Sequence, residues 1–332
     1  MSRRSWLLLL ALSALWGSSY LFIKVALEDG VSPGLMVFVR TALAALVLLP
    51  LAVRRDVLGG LRENLQAILV LAIVQMAGPL LLIALGERAI SSSLTGILVA
   101  TAPIFTFLLA FALEGEERAS SLSLVGVGLG VAGVALLLGV DTGGGAAALL
   151  GGLLVVTASF GYGVGAWFVR RRVRDVDRVA MVGVTAATAA LLTAPLAAAS
   201  LPAEAPGLAA LGSLAALGVL CTGAAFVIFY SLVASDGPER ASLVGYLAPG
   251  FSIAYGVTLL DESFTAATAA GLLLITGGSW LAVEGRLPWN RSAACGELAA
   301  GGVDVAASGQ PDGRPDAASL EAGTKRSDRV PA

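Results

Sequence analysis

Aromatic and basic side chains share one face of the first apolar segment. Trp16, Tyr20 and Lys24 follow one another at intervals of four residues, so on a helix they form a single stripe. Aromatic faces beside a cation are suited to line the path of an organic solute. The alternative is that Tyr20 packs inside a helical bundle, while Lys24 extends to the outer interface with Glu28 or Asp29 as its partner.

A second cation lies deeper in an apolar segment. Arg40 falls about seven residues, or roughly 10 Å, inside the second apolar run. Placing an arginine in a bilayer costs about 2.5–3.5 kcal/mol, and such residues usually face a bundle interior or a wet cavity. Two roles stay open for Arg40, either bonding of helix-end carbonyls or a place with Lys24 in an outer vestibule. If both cations face the path, an anionic or zwitterionic solute is favoured.

Other polar and aromatic residues fall near the middle of apolar segments. We expect some of them to line a substrate cavity together with Trp16 and Tyr20, although ordinary packing is the alternative for each. These further candidates are Gln75, Tyr162, Trp167 and Tyr246.

Prolines and glutamates mark special positions in these segments. Pro79, Pro103 and Pro249 lie inside predicted helices, where each removes a backbone donor and tends to kink the helix. Glu117 and Glu262 stand where two of these helices end. They are helix-end anchors or gate residues.

A repeat relates the two halves of the chain. The stretches 101–120 and 247–265 share an Ala-Pro start, a long apolar run and a glutamate. Glu117 and Glu262 are each followed nine residues later by a glycine. The copies stand about 145 residues apart, so the protein consists of two versions of one half.

Missing residue types limit the chemistry. The chain has no histidine, and no carboxylate lies near the middle of an apolar segment. An enzyme would need a base or a metal to activate one of the serines, so we predict no enzymatic activity, no metal and no cofactor. A proton-coupled mechanism also lacks an obvious carrier. Cys221 and Cys295 form neither a disulfide framework nor a metal site.

The elements that position these residues are membrane helices. Of 332 residues, 57% are hydrophobic and 13% are charged, and the mean hydropathy is +0.87. Each apolar run is near the length needed to cross about 30 Å of hydrocarbon, where only helices satisfy their own backbone. We predict an all-α membrane protein with ten helices, at about 6–27, 34–53, 65–86, 90–113, 122–140, 149–169, 179–199, 207–232, 241–260 and 266–284.

Arginine placement predicts the orientation. With the N-terminus inside, the outer links carry only Arg88, which places both termini in the cytoplasm. Five helices in each half then force the second half to be inverted relative to the first, as in many transporters. The basic residues on the inner side before the tail are Arg3, Arg4, Arg54, Arg55, Arg62, Arg118, Arg170, Arg171, Arg172, Arg174, Arg178 and Arg240.

Several motifs together resemble the EamA-type carriers of the drug/metabolite transporter superfamily. They are LWGSSYLFIK at 15–24, FVRTALAALVLLP at 38–50, APIF at 102–105 with Glu117-Arg118, and LAPGF at 247–251 with Glu262. The resemblance implies two five-helix repeats, a central cavity, alternating access and often export of metabolites or amino acids. In the fourth and ninth helices the polar side chains are mainly Ser91, Ser92, Ser93, Thr95, Thr101 and Tyr246.

The sequence therefore predicts a secondary transporter of the cytoplasmic membrane. Residues 1–140 form the first repeat, residues 141–285 form the second, and residues 286–332 form a disordered cytoplasmic tail. A small organic solute and the lipid bilayer are the expected partners, with no nucleic acid, and the protein acts as a monomer or a homodimer. A membrane sensor or scaffold acting through the tail is the alternative, and a channel is disfavoured because no ring of like charge appears.

Overall fold

The described part of the chain is entirely helical. A computed structural model describes residues 2–114, 120–141, 145–172 and 176–284, and within these ranges no strand occurs. Glu117 and the predicted tail 286–332 lie outside the described residues. The all-α class predicted from the sequence is confirmed.

Within the described residues, helical stretches follow one another along the apolar runs. We number them α1 to α10, counting interrupted helices once. They are α1 Arg3–Glu28, α2 Pro33–Arg54, α3 Arg62–Gly86, α4 Ser92–Val99 with Ala102–Glu114, α5 Ser121–Gly139, α6 Ala146–Arg172, α7 Arg178–Ala199, α8 Leu208–Asp236, α9 Val244–Leu259 and α10 Ala266–Glu284.

Nine of these helices, within the described ranges, are long and apolar enough to cross a membrane. The exception is α9, which has 16 residues. It is shorter than the predicted 241–260 because a separate turn of helix, Pro238–Ala241, precedes it. The predicted fourth helix is also interrupted, at Ala100–Thr101.

Short polar side chains begin several helices. Ser32 accepts a hydrogen bond from Leu35 N, and Pro33 follows as the first residue of α2. Asp177 caps α7 by accepting from Val179 N and Ala180 N. Such caps satisfy donors that a helix leaves free at its start, which matters most where little water is present.

Tight packing joins the two halves at matching positions. A Cβ atom added to Gly17 on α1 would lie 2.6 Å from Phe251 Cβ on α9, and one added to Gly163 on α6 would lie 2.8 Å from Phe105 Cβ on α4. The two glycines and the two phenylalanines are each 146 residues apart (163 − 17 and 251 − 105). Helix α1 therefore contacts the second half in the way that α6 contacts the first.

Helices α5 and α10 approach to backbone contact. A Cβ atom on Gly126 would lie 2.6 Å from Gly278 O, and one on Gly278 would lie 2.6 Å from Gly126 O. Small residues on both helices allow this close approach. The main pairings of the bundle all join one half to the other, and they are α2 with α7, α5 with α10, α6 with α3 and α4, and α1 with α8 and α9.

Two helices contain wide turns at corresponding places. A π-helical segment occupies Ala72–Ala77 in α3 and another occupies Ala216–Ala224 in α8. Such segments are uncommon and frequently lie at functional sites, because they loosen the backbone ladder. Half-buried Gln75 lies in the first segment and buried Thr222 in the second.

Candidate functional site

A polar cavity lies where the first half meets the link between α9 and α10. Its volume is about 370 Å³. Two cations, one carboxylate and several hydroxyl groups line it, which is a suitable arrangement for a small polar solute. The lining residues are Lys24, Arg88, Ala89, Ile90, Ser91, Ser93, Leu94, Glu262, Ser263 and Thr268.

Lys24 connects α1 to the turn between α3 and α4. Its ammonium donates to Glu87 O at 3.1 Å and to Ile90 O at 3.3 Å. The suggested partner Asp29 accepts instead from Gly207 N, at 2.7 Å. Lys24 thus holds backbone carbonyls at the end of α3 while it also faces the cavity.

Glu262 caps the start of α4 from the other half of the chain. Its carboxylate accepts from Ser92 N at 2.7 Å, from Ser93 N at 3.0 Å and from the Ser93 hydroxyl. A negative charge at a helix N-terminus is favourable because it meets free N–H groups and the positive end of the helix dipole. We call these bonds the Glu262 latch.

Glu87 is a carboxylate that the sequence analysis did not select. It lies one residue beyond α3, its side chain is 0% exposed, and within the described residues neither carboxyl oxygen has a hydrogen-bond partner. Burial raises the pKa of the Glu87 carboxyl well above its usual range, while the nearby Lys24 ammonium acts in the opposite direction. Its place in the short predicted link 87–89 gave no signal of burial, since the neighbouring Arg88 and Ala89 are exposed.

Arg40 lies deeper, in a polar cluster that joins α1, α2, α6 and α8. The Arg40 side chain is buried, and its Nε donates to Thr222 Oγ1 at 2.9 Å. Thr222 in turn donates to Leu217 O, five residues earlier in the π-helical segment. The charge of Arg40 also acts on Tyr20 and Tyr162.

Lys24 and Arg40, which the sequence suggested for one outer vestibule, do not line the same cavity. Lys24 lines the cavity, but Arg40 is absent from the lining, because its side chain turns toward α8. Its observed partner is a threonine hydroxyl and not a helix-end carbonyl.

Hydroxyl groups from the second half donate hydrogen bonds to backbone carbonyls at the interruption of α4. Ser159 on α6 donates to Leu98 O at 3.2 Å, and Ser279 on α10 donates to Ala100 O at 2.8 Å. Thr101 also donates to Leu98 O. The freed carbonyls at this break therefore have partners, as a membrane-embedded interruption requires.

The remaining predicted cavity residues are dispersed. Trp16 packs against the rings of Phe226 and Phe229, with ring centroids 5.9 and 5.5 Å away. Gln75 packs on Gly165 of α6. Half-buried Trp167 lies further along α6.

Tyr246 and the prolines also occupy different places. Half-buried Tyr246 lies near the start of α9, within electrostatic reach of Glu284. Pro79 follows the π-helical segment of α3, and Pro103 follows the break in α4. Pro249 lies inside α9, which is continuous.

The sequence profile of the EamA-like transporter family matches residues 4–139 and again residues 149–283. These two matches cover the helical part of the chain. The chain belongs to the EamA-like transporter family. As a member, it is a multi-pass membrane protein of the drug/metabolite transporter type, with the family domain present twice.

Curated relatives agree with this assignment. "Uncharacterized transporter YoaV" of Bacillus subtilis (strain 168) is 24% identical over 282 residues, covering 82% of this chain and 94% of that protein. "Uncharacterized inner membrane transporter YedA" of Escherichia coli (strain K12) is 27% identical over 263 residues, covering 77% and 83%. "Probable amino-acid metabolite efflux pump" of Escherichia coli (strain K12) is 26% identical over 306 residues, covering 89% and 100%.

One solved chain, described as "Crystal structure of protein", shares the fold. It is 22% identical, with a TM-score of 0.61, and the match covers 85% of this EamA chain and 97% of that one.

Proposed function

We propose that this EamA protein is a secondary transporter that moves small amino-acid-like metabolites across the cytoplasmic membrane by alternating access. The observation that carries this proposal is the 370 Å³ cavity, in which Lys24 and Arg88 face Glu262. An amino acid carries one ammonium and one carboxylate, so a site with charges of both signs complements it. The name of the Escherichia coli efflux pump supports the same substrate class and favours export.

Alternating access would exchange the side on which the cavity opens. We propose that residues 1–140 and 141–285 are two inverted repeats, since an odd number of helices in each half requires opposite orientations. The Glu262 latch would close the cavity on the outer side, and the break in α4 would serve as its hinge. Glu117, the repeat-related glutamate, would act on the inner side.

The path beyond the cavity would lead past Tyr20 and Tyr162. Their phenol groups lie in the bundle interior, near the buried charge of Arg40. We propose Trp16, Gln75, Trp167 and Tyr246 as further contacts along the route. These four residues lie outside the lining of the cavity.

Location and assembly follow from the same proposal. We propose that both termini lie in the cytoplasm, which the arginine bias supports, and the name of the YedA relative supports an inner membrane. One chain contains both repeats, so a monomer suffices for transport, and a homodimer would contain two independent paths.

Thermal unfolding of the purified protein with a panel of amino acids, nucleosides, sugars and carboxylates tests the proposal. A solute that binds the folded state raises the melting temperature in proportion to the logarithm of its concentration. We expect amino acids to produce this shift and Lys24→Gln to abolish it. Arg54→Gln is the matched control, because Arg54 lies at the end of α2 outside the cavity.

A shift that only sugars or nucleosides produce would contradict the proposed substrate class. A shift that survives Lys24→Gln would move the binding site away from this cavity. Counterflow of a radiolabelled amino acid in proteoliposomes then distinguishes transport from binding alone.

A further inference from the structure

The Glu87 carboxyl is enclosed without a hydrogen-bond partner among the described residues. Its neighbours with charge or a titratable group are Tyr20 and Lys24 on α1, Arg40 on α2 and Glu262 beyond α9. These groups belong to α1, to α2 and to the link between α9 and α10.

Two donors that act on the carboxyl, Lys24 and Thr95, form hydrogen bonds to backbone carbonyls. The Lys24 ammonium is bonded to the backbone carbonyls Glu87 O and Ile90 O. The Thr95 hydroxyl lies beside the carboxyl, but it donates to Ser91 O at 2.9 Å. The carboxyl is therefore close to a positive charge that does not bond to it.

The ionised form of Glu87 is costly in this place, because the side chain is enclosed and neither carboxyl oxygen has a hydrogen-bond partner among the described residues. A protonated carboxyl is neutral and tolerates the same enclosure. The closed form consequently favours a bound proton on Glu87, and burial acts in the same direction on its pKa.

Opening of the cavity would change the relative stability of the protonated and ionised forms of Glu87. The backbone of Ser92, five residues after Glu87, is held by the Glu262 latch. Release of the latch frees the start of α4 and the adjoining turn, which lets water reach Glu87. The proton then passes from the carboxyl oxygen to water, and the carboxylate that remains gains Lys24 as its counter-charge.

We propose that Glu87 is a proton-binding residue that couples opening of the cavity to release of one proton. This inference rests on the proposed transport function and supplies its coupling ion. It also revises the expectation that no proton carrier is available, since the residue sits in a short turn and not at a helix midpoint.

Thiol labelling against pH tests the coupling without any substrate. Ser92→Cys, in a background with Cys221→Ser and Cys295→Ser, places a thiol at a position that is 1% exposed and hidden in the closed form. Gly59→Cys, in an exposed turn, gives the reference rate. The ratio of the two rates removes the pH dependence of the thiol reaction itself.

We expect the rate ratio to rise with pH, by up to tenfold per pH unit in the range above the usual pKa of a glutamate, because one proton leaves on opening. The sign follows from a carboxyl whose pKa is higher in the closed form than in the open form. Glu87→Gln, which resembles the protonated acid, should flatten the profile to less than about twofold per pH unit.

A flat profile in the parent protein, or an unchanged slope in Glu87→Gln, overturns the proposal. If Glu87→Gln fails to fold, infrared spectroscopy of the parent protein decides the matter. At neutral pH, ¹³C-labelled glutamate should show one protonated carboxylic C=O band that resists hydrogen–deuterium exchange. Absence of that band also overturns the proposal.

Transport in proteoliposomes separates this inference from the proposed function. With a mixture of amino acids as the probe, a pH gradient should accelerate flux in the parent protein but not in Glu87→Gln. Flux that ignores the gradient in both proteins leaves the transporter standing and refutes the role of Glu87. No flux in either protein, with an intact labelling profile, refutes the amino-acid substrate and leaves the proton site standing.

Discussion

Removal of the Glu262 carboxylate should open the cavity. In the structure this group accepts from Ser92 N at 2.7 Å and from Ser93 N at 3.0 Å. A hydrogen bond to a charged group contributes about 1.5–3 kcal/mol. Since Glu262 is partly exposed, water replaces part of the lost interaction, and we take the value of one such bond for the whole latch. Glu262→Ala should therefore shift the equilibrium toward the open form by about 10- to 150-fold.

The Ser92→Cys reporter measures this shift directly. When closing is fast relative to labelling, the rate is proportional to the open population, so the predicted shift appears as the same fold-increase in rate. Glu262→Gln should give an intermediate rate, because the amide oxygen still accepts but carries no charge. Asp261→Asn is the matched control, since it neutralises the exposed neighbouring carboxylate, and asparagine tolerates the positive φ of 53° found there.

A Glu262→Ala rate within twofold of the parent would refute the latch. An equal acceleration by Asp261→Asn would show that the effect is general electrostatics and not release of α4.

Two other contacts predict how substitutions change the free energy of unfolding. Thr222→Val should leave buried Arg40 without its acceptor and lower the free energy of unfolding by about 1–3 kcal/mol. The loss is measured as lower thermal stability in detergent. Thr258→Val, on the exposed face of α9, is the control and should change stability little. Gly126→Ala should destabilise by about 1–3 kcal/mol, because its Cβ meets the backbone of α10. Gly128→Ala on the same helix has nothing within 4 Å and should be neutral or slightly stabilising.

The fold could be predicted largely from the sequence. Long apolar runs separated by short links leave few alternatives to helices in a bilayer. The interruption of α4 could not be predicted from composition. It depends on Ser159 and Ser279, which come from distant parts of the chain and provide donors for Leu98 and Ala100.

The candidate site was predictable only in part. Lys24 lines the cavity, and its depth in α1 could be read from the sequence. Arg40 has a similar depth, yet its side chain turns toward Thr222, and only the π-helical segment of α8 brings that hydroxyl within reach. Glu87 was missed because its burial results from neighbours on α1, α2 and the α9–α10 link.

The bond between Arg40 and Thr222 has a consequence for biogenesis. Its two partners are 182 residues apart in the chain, and ribosomes add about 5–20 residues per second. Arg40 therefore enters the membrane roughly 10–40 s before its acceptor exists. During that interval the insertion machinery or a membrane chaperone must shield the arginine, and ribosomes that stall before codon 222 should yield fragments that are rapidly degraded.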